Sequence, residues 1–141
     1  MPKPIAALGA LVAELVEGLE DGTLAPGFTR PLRRGSAEGE ISIVPNPRDP
    51  SVPLLLITLE IMAVPPDGRG AFFRRLLELN GTLFGRASFW VGGDDRVRLV
   101  AGRPMEDLDP SELVDLVLWT SEQADQFDDL LVDEFGGEAR R

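Results

Sequence analysis

The sequence predicts an α+β protein in the order helix, strands, helix, strands, helix, with an antiparallel sheet and segregated helices. Three observations carry this. Apolar residues recur at three- and four-residue steps near both ends of the chain and once in its middle. Between those stretches lie apolar, β-branched runs joined by short turn-rich separators, the pattern of hairpins. The length of 141 residues, with 43% hydrophobic and 27% charged side chains, is ordinary for one globular domain with a sizeable core, and a single domain is expected over 1–141.

The first helix is marked by Ile5, Leu8, Leu11, Val12, Leu15, Val16 and Leu19, with Pro4 suited to its first turn and an end near Asp21-Gly22. Residues 22–40 are rich in Gly, Pro and Arg and read as a loop in which the pattern places no strand. Glu40 to Val44 and Val52 to Val64 follow as two strands of a hairpin across "PNPRDPS". In the second strand Leu55, Ile57, Leu59 and Ile61 share one face, which is wholly apolar and is expected to meet the helices. Leu54, Leu56, Thr58, Glu60 and Met62 share the other, whose mixed character suits partial exposure or contact with another chain.

After Pro65-Pro66, Asp67 is placed to cap a helix running to about Asn80, with Gly81 just past its end. Its apolar arc, Phe72, Phe73, Leu76, Leu77, Leu79 and Leu83, is wider than one sheet contact requires. "RASFWV" and "RVRLVAG" then flank "GGDD" in a second hairpin. The last helix begins at Asp109, with Pro110 in its first position and Glu112 where a capping partner belongs. Its stripe is Leu113, Leu116, Val117, Thr120, Ala124, Phe127 and Leu131.

Composition narrows the chemistry. Histidine, cysteine and tyrosine are all missing, which removes histidine triads, thiol nucleophiles and the commoner metal ligands. A net charge of −10 argues against general nucleic-acid binding, which draws on phosphate neutralisation. No apolar run approaches the roughly 20 residues that span a bilayer. Glu14, Glu17 and Glu20 break the N-terminal stretch at helical intervals, so it reads as an amphipathic helix rather than a signal peptide, and the cytoplasm is the expected location.

The most enzyme-like phrase is "VGGDDRV", Val91 to Val97. A nucleotide- or divalent-metal-dependent enzyme would centre on the Gly92–Asp95 turn, with the helix acids Asp125, Asp128, Asp129 and Asp133 as candidate ligands for a hard cation. The plainer reading is a hairpin tip in which Gly92 and Gly93 supply positive φ, together with a solvated acidic helix face. No catalytic residue, metal or cofactor is expected on that reading. Arg96 and Arg98 share a strand face, where edge protection is the simplest role. Arg74 and Glu78, four residues apart, suit a surface pair.

Surplus apolar residues are the more informative signal. Val114 and Leu118 fall off the stripe of the last helix, and Trp119 falls on the opposite flank. Such surplus marks either a protein–protein interface or a helix packed on two sides within one domain.

The segment from Leu76 to Leu131 resembles the YbjN-like proteins and the class I type III secretion chaperones. The resemblance rests on a succession of features. A Leu-rich helix ends in Leu77-x-x-Asn80, followed by Phe84-Gly85, a strand with Phe89, an acidic turn, a strand with Val97 and Leu99, "PMEDLDPSEL", and a long helix with Ala124 and Asp125. It implies an α-β-β-(β)-α-β-β-α domain that forms a homodimer, has no enzymatic activity, and holds an extended segment of a client protein against apolar surface. On that reading Phe72, Phe73, Leu76, Leu54, Leu56 and Met62 are the expected dimer interface. Trp90, Trp119, Val114 and Leu118 are the expected contacts to a client protein.

Overall fold

The computed structural model describes residues 7–136. Its elements are α1 (Leu8–Asp21), β1 (Thr29–Arg34), β2 (Ala37–Val44), β3 (Leu54–Ala63), α2 (Arg69–Thr82), β4 (Ser88–Val91), β5 (Arg96–Pro104) and α3 (Pro110–Phe135). The expected helix start at Pro4 and Ile5 and the tail 138–141 lie outside the described residues. One five-stranded antiparallel sheet runs in the order β1-β2-β3-β5-β4.

The central strand organises the core. Leu55, Ile57, Leu59 and Ile61 of β3 are fully buried, as their alternation predicts. They meet α3 through Leu113, Leu116, Val117, Ala124 and Leu131, and α1 packs Leu11 and Leu15 alongside. The start of α3 has the expected cap. Asp109 Oδ1 accepts from the Glu112 amide at 2.8 Å, Glu112 Oε1 accepts from the Asp109 amide at 3.1 Å, and Pro110 opens the helix. α2 lies beside β4 and docks on the end of α3. Phe72 meets Phe135 edge-on at 5.1 Å, and Arg75 pairs with both Glu134 oxygens at 2.8 and 2.9 Å.

Residues 22–40 depart from the loop expectation. They hold β1 and the start of β2, joined by a tight turn at Gly35-Ser36. Helical neighbours explain why the strand was hidden. Its inward side chains are Arg30, Leu32 and Arg34, of which only Leu32 is buried apolar surface. Arg30 reaches Glu14 of α1 at 3.1 Å and Arg34 Nη1 donates to the Leu118 carbonyl at 2.8 Å, so a polar sequence forms a half-buried edge strand. Pro31 is tolerated there because an edge strand makes ladder bonds on one side only.

Three smaller differences follow from backbone geometry. Asp67 does not cap α2; the chain enters the helix through Gly68 at φ 68°, with no side-chain cap. Gly81 lies in the last turn of α2 rather than beyond it. β5 is an interior strand, so Arg96 and Arg98 do not guard an edge. Both reach Glu60 of β3, Arg96 at 2.9 Å and Arg98, its register partner, at 3.6 Å.

Gly39 is required where β2 and β3 approach, because a Cβ there would run into the Thr58 carbonyl and lie 2.8 Å from Leu59 Cα. Gly39→Ala should therefore cost at least ~3 kcal/mol, a forced strand separation at the severe end of overpacking. Gly70→Ala, in open space in the first turn of α2, should instead raise stability by about 0.5 kcal/mol. Urea midpoints of the two variants check both signs.

Candidate interaction surfaces

The Gly92–Asp95 turn is held by structural ties at each polar position. Gly92 N donates to the Arg96 carbonyl and Asp95 N to the Gly92 carbonyl, both at 3.0 Å. Asp94 Oδ1 accepts from the Arg96 amide at 3.1 Å, and Asp94 Oδ2 lies 2.7 Å from Arg98 Nη2. Asp95 Oδ2 accepts from Arg69 at 3.2 Å, and the Asp95 carbonyl accepts from the Val64 amide at 2.8 Å. The turn thus ties β4–β5 to the end of β3 and the start of α2. Positive φ falls on Asp95 (57°) and not on either glycine. Gly92 has a different purpose: a Cβ there would sit 2.6 Å from both Arg98 Nη1 and Asp94 Oδ1, so only glycine leaves room for the ion pair.

Two of the four helix acids are also occupied. Asp125 and Asp128 receive the β1–β2 turn: Ser36 N donates to Asp125 Oδ1 at 3.2 Å and Ser36 Oγ donates to Asp128. A side chain at Gly35 would collide with Asp125, which fixes glycine there. Asp129 and Asp133 face solvent. Among the described residues no three acids converge as a metal-holding group.

The residues expected at interfaces divide into two sets. Phe72 and Leu76 face the core of their own chain and are no part of its surface. Phe72 meets Phe135 at the end of α3 while α2 lies beside β4, so the wide arc is partly a helix packed on two sides. Met62 is likewise a core residue. Glu60 pairs with Arg98 and Met62 with Val97, which leaves Ile61 as an extra residue in β3. This bulge reverses the alternation and turns Met62 inward. Leu54 and Leu56 stay half-exposed on the helix-free side of the sheet, and Phe73 is half-exposed on α2.

Trp90 is 56% exposed on the same side as Leu56 and Glu60, opposite Arg98 across the strand pair. Leu118 is exposed and Val114 half-buried on α3. Trp119 is half-buried under the Arg86 guanidinium, 3.9 Å from its ring centroid, and Arg86 also bonds Asp115 at 3.0 Å.

Two exposed apolar residues outside the expected set are the most prominent. Leu77 is 71% exposed and Phe84 is 87% exposed. Leu77 follows the half-buried Phe73 by four residues on α2, and Phe84 lies just beyond the helix end. Phe84 also has φ 52°, followed by Gly85 at 78°. A non-glycine residue in the left-handed region carries about 1–2 kcal/mol of strain. A solvent-facing phenylalanine gains nothing from its own chain to offset it. The pair Phe84-Gly85 was the available sequence signal, because a glycine after an aromatic at a helix end often marks left-handed backbone.

With this geometry in view, similarity to known proteins concerns the fold alone. A solved structure described as the crystal structure of the ExsC–ExsE complex aligns with a TM-score of 0.57, at 15% identity, over 89% of this chain and 97% of that one. No family model and no curated protein matches the sequence. The fold is therefore α+β, a five-stranded antiparallel sheet with three helices, and it is shared with a chain of that complex.

Arg98 holds the Asp94 carboxyl down, with help from the Arg96 amide, from 3.8 to about 2. A depressed carboxyl stabilises the fold above its unfolded value and loses that contribution as pH falls towards the folded one. Side-chain carbon chemical shifts should show Asp94 titrating near 2, and Arg98→Met should return it towards 3.8.

Proposed function

We propose that the protein is a non-enzymatic, homodimeric protein-binding module of the cytoplasm, chaperone- or adaptor-like, that holds a segment of a client protein on apolar surface. The observation that carries this reading is the pair Leu77 and Phe84, apolar side chains presented to solvent, the second from strained backbone. Strained backbone of this kind clusters at ligand clamps and other functional sites. The fold it shares with one chain of a protein–protein complex supports the same reading.

The dimer is assigned to α2 and the loop after it. A twofold axis beside α2 brings two copies of this pair together, so each Leu77 and Phe84 is covered by its counterpart. Phe73 belongs to this surface. Phe72 and Leu76 support it from beneath by fixing α2 to α3. Leu54, Leu56 and Trp90, on the helix-free side of the sheet, and Val114 and Leu118 on α3 remain for a client. Trp119 serves indirectly, as the platform that holds Arg86 and the loop carrying Phe84.

The wild-type chain should run as a dimer by light scattering at about ten micromolar, a concentration a specific interface of ordinary size sustains. Leu77→Asp with Phe84→Ser should weaken association by about 100-fold, as removal of two buried anchors does. The variant should stay folded, with a thermal midpoint that no longer depends on concentration, whereas the wild-type midpoint rises with concentration. A wild-type monomer at that concentration contradicts the dimer. Capture from the native host's extract should yield a discrete partner with the wild type and lose it with Leu56→Asp and Trp90→Glu.

A further inference from the structure

The run Leu32-Arg33-Arg34-Gly35-Ser36-Ala37 crosses from β1 to β2 through the tight turn that rests on α3. Ser36 is exposed at the tip of this turn, and Gly35 before it takes φ 58°. Arg33 and Arg34 stand at the third and second positions before the serine. That spacing suits a serine kinase with an acidic substrate cleft, because paired guanidiniums dock on carboxylates at a fixed reach from the hydroxyl. The Arg33 side chain, paired with Glu38, is 56% exposed in the folded chain. Ser51 is the nearest rival. It has one arginine, Arg48, three positions before it, and its hydroxyl is tied to Asp49 at 2.6 Å.

The docked turn has no room for a phosphoryl group. Ser36 N donates to Asp125 Oδ1 at 3.2 Å, Ser36 Oγ donates to Asp128, and a Cβ on Gly35 would already collide with Asp125. Asp128 is 2% exposed, so a charge brought beside it meets little screening water. Phosphorylation removes the hydroxyl donor and adds roughly −1.5 to −2 of charge at pH 7, against two carboxylates. A docked turn and a phosphorylated Ser36 therefore exclude one another. Lifting the turn also withdraws Arg34, whose Nη1 donates to the Leu118 carbonyl at 2.8 Å and to Ser121 Oγ at 3.4 Å. The hydroxyl and both arginines thus come free together. Because β1 is an edge strand, this opening leaves the pairing of β3 with its neighbours intact.

We propose that Ser36 is a phosphorylation site for an arginine-directed serine kinase, and that its phosphoryl group holds the β1–β2 turn off α3. In the transfer, Ser36 Oγ bonds to the γ-phosphorus of ATP, the bond from that phosphorus to the departing ADP oxygen breaks, and the hydroxyl proton passes to a base of the kinase. Asp125 and Asp128 make the turn responsive. They hold the unmodified turn by hydrogen bonds and repel the modified one. Neither step depends on the protein-binding reading, and each can fail while that reading stands.

The full chain is incubated with ATP and the catalytic subunit of cyclic-AMP-dependent kinase, and in parallel with ATP and extract of the native host. Peptide mass spectrometry should place a phosphoryl group on Ser36 in both and none on Ser51. Arg33→Ala with Arg34→Ala should slow incorporation by about tenfold or more. Losing Arg34 also loosens the turn, so slower transfer there reports recognition and not access. In the phosphorylated chain, amide exchange across 33–38 should quicken by about tenfold or more. Ser36→Ala, which loses a hydrogen bond but gains no charge, should quicken it by a smaller factor, and Asp125→Asn should lessen the effect of the phosphoryl group. Phosphoryl on Ser51 alone, or none on Ser36 in the host extract, overturns the site. A phosphorylated Ser36 with unchanged exchange across 33–38 overturns the release of the turn.

Discussion

The structure depends on one continuous contact, the buried face of β3 against the stripe of α3. Leu55, Ile57, Leu59 and Ile61 present branched apolar side chains from the middle strand of the sheet, and α3 covers them along its length. Removing that face from water is the largest single stabilising term available to a chain of this size. The remaining elements are placed by it. β2 and β5 pair on either side of β3, β1 and β4 take the edges, α1 packs on α3, and α2 lies beside β4 and meets the end of α3. The bulge at Ile61 lets the far end of β3 bury Ile61 and Met62 together, which closes the core near the β4–β5 turn.

The same constraint explains why the phrase that looks most like chemistry is architectural. The β4–β5 turn meets the bulged end of β3 and the first turn of α2, and its polar atoms are spent on those junctions. Gly92 gives space to the Arg98–Asp94 pair, Asp95 takes the left-handed position and ties to Arg69, and Glu60 completes the arginine network from β3. The acids of α3 are used similarly, since Asp125 and Asp128 anchor the β1–β2 turn that seals the opposite edge.

Elements whose side chains alternate or repeat strongly were legible in the sequence. The β3 face, the capped start of α3 and the position of the second hairpin follow from local pattern alone. β1 was not legible, because an edge strand whose inward arginines reach helix acids leaves no apolar alternation to read. Met62 and the pair Phe72 and Leu76 were misplaced for a related reason. A bulge reverses side-chain alternation without any sequence mark, and an amphipathic arc does not say which half faces a neighbour in the same chain. The candidate interaction surface was legible only in part. An excess of apolar residues on the middle helix was visible, but Leu77 and Phe84 stand out only once tertiary packing has claimed the others.

What remains outside the core is therefore the functional question: apolar side chains on α2, in the loop after it and on the open side of the sheet. Amide hydrogen exchange of the wild-type chain, compared between a concentrated and a highly diluted sample and with and without Mg2+ and nucleotide, separates the two accounts of the protein most directly. An interaction module predicts slower exchange across 69–91 in the concentrated sample, with no change at 92–98 on adding either ligand. Exchange that ignores concentration throughout, or protection of 92–98 by nucleotide or Mg2+, would contradict it and return the Gly92–Asp95 turn to the centre of the function.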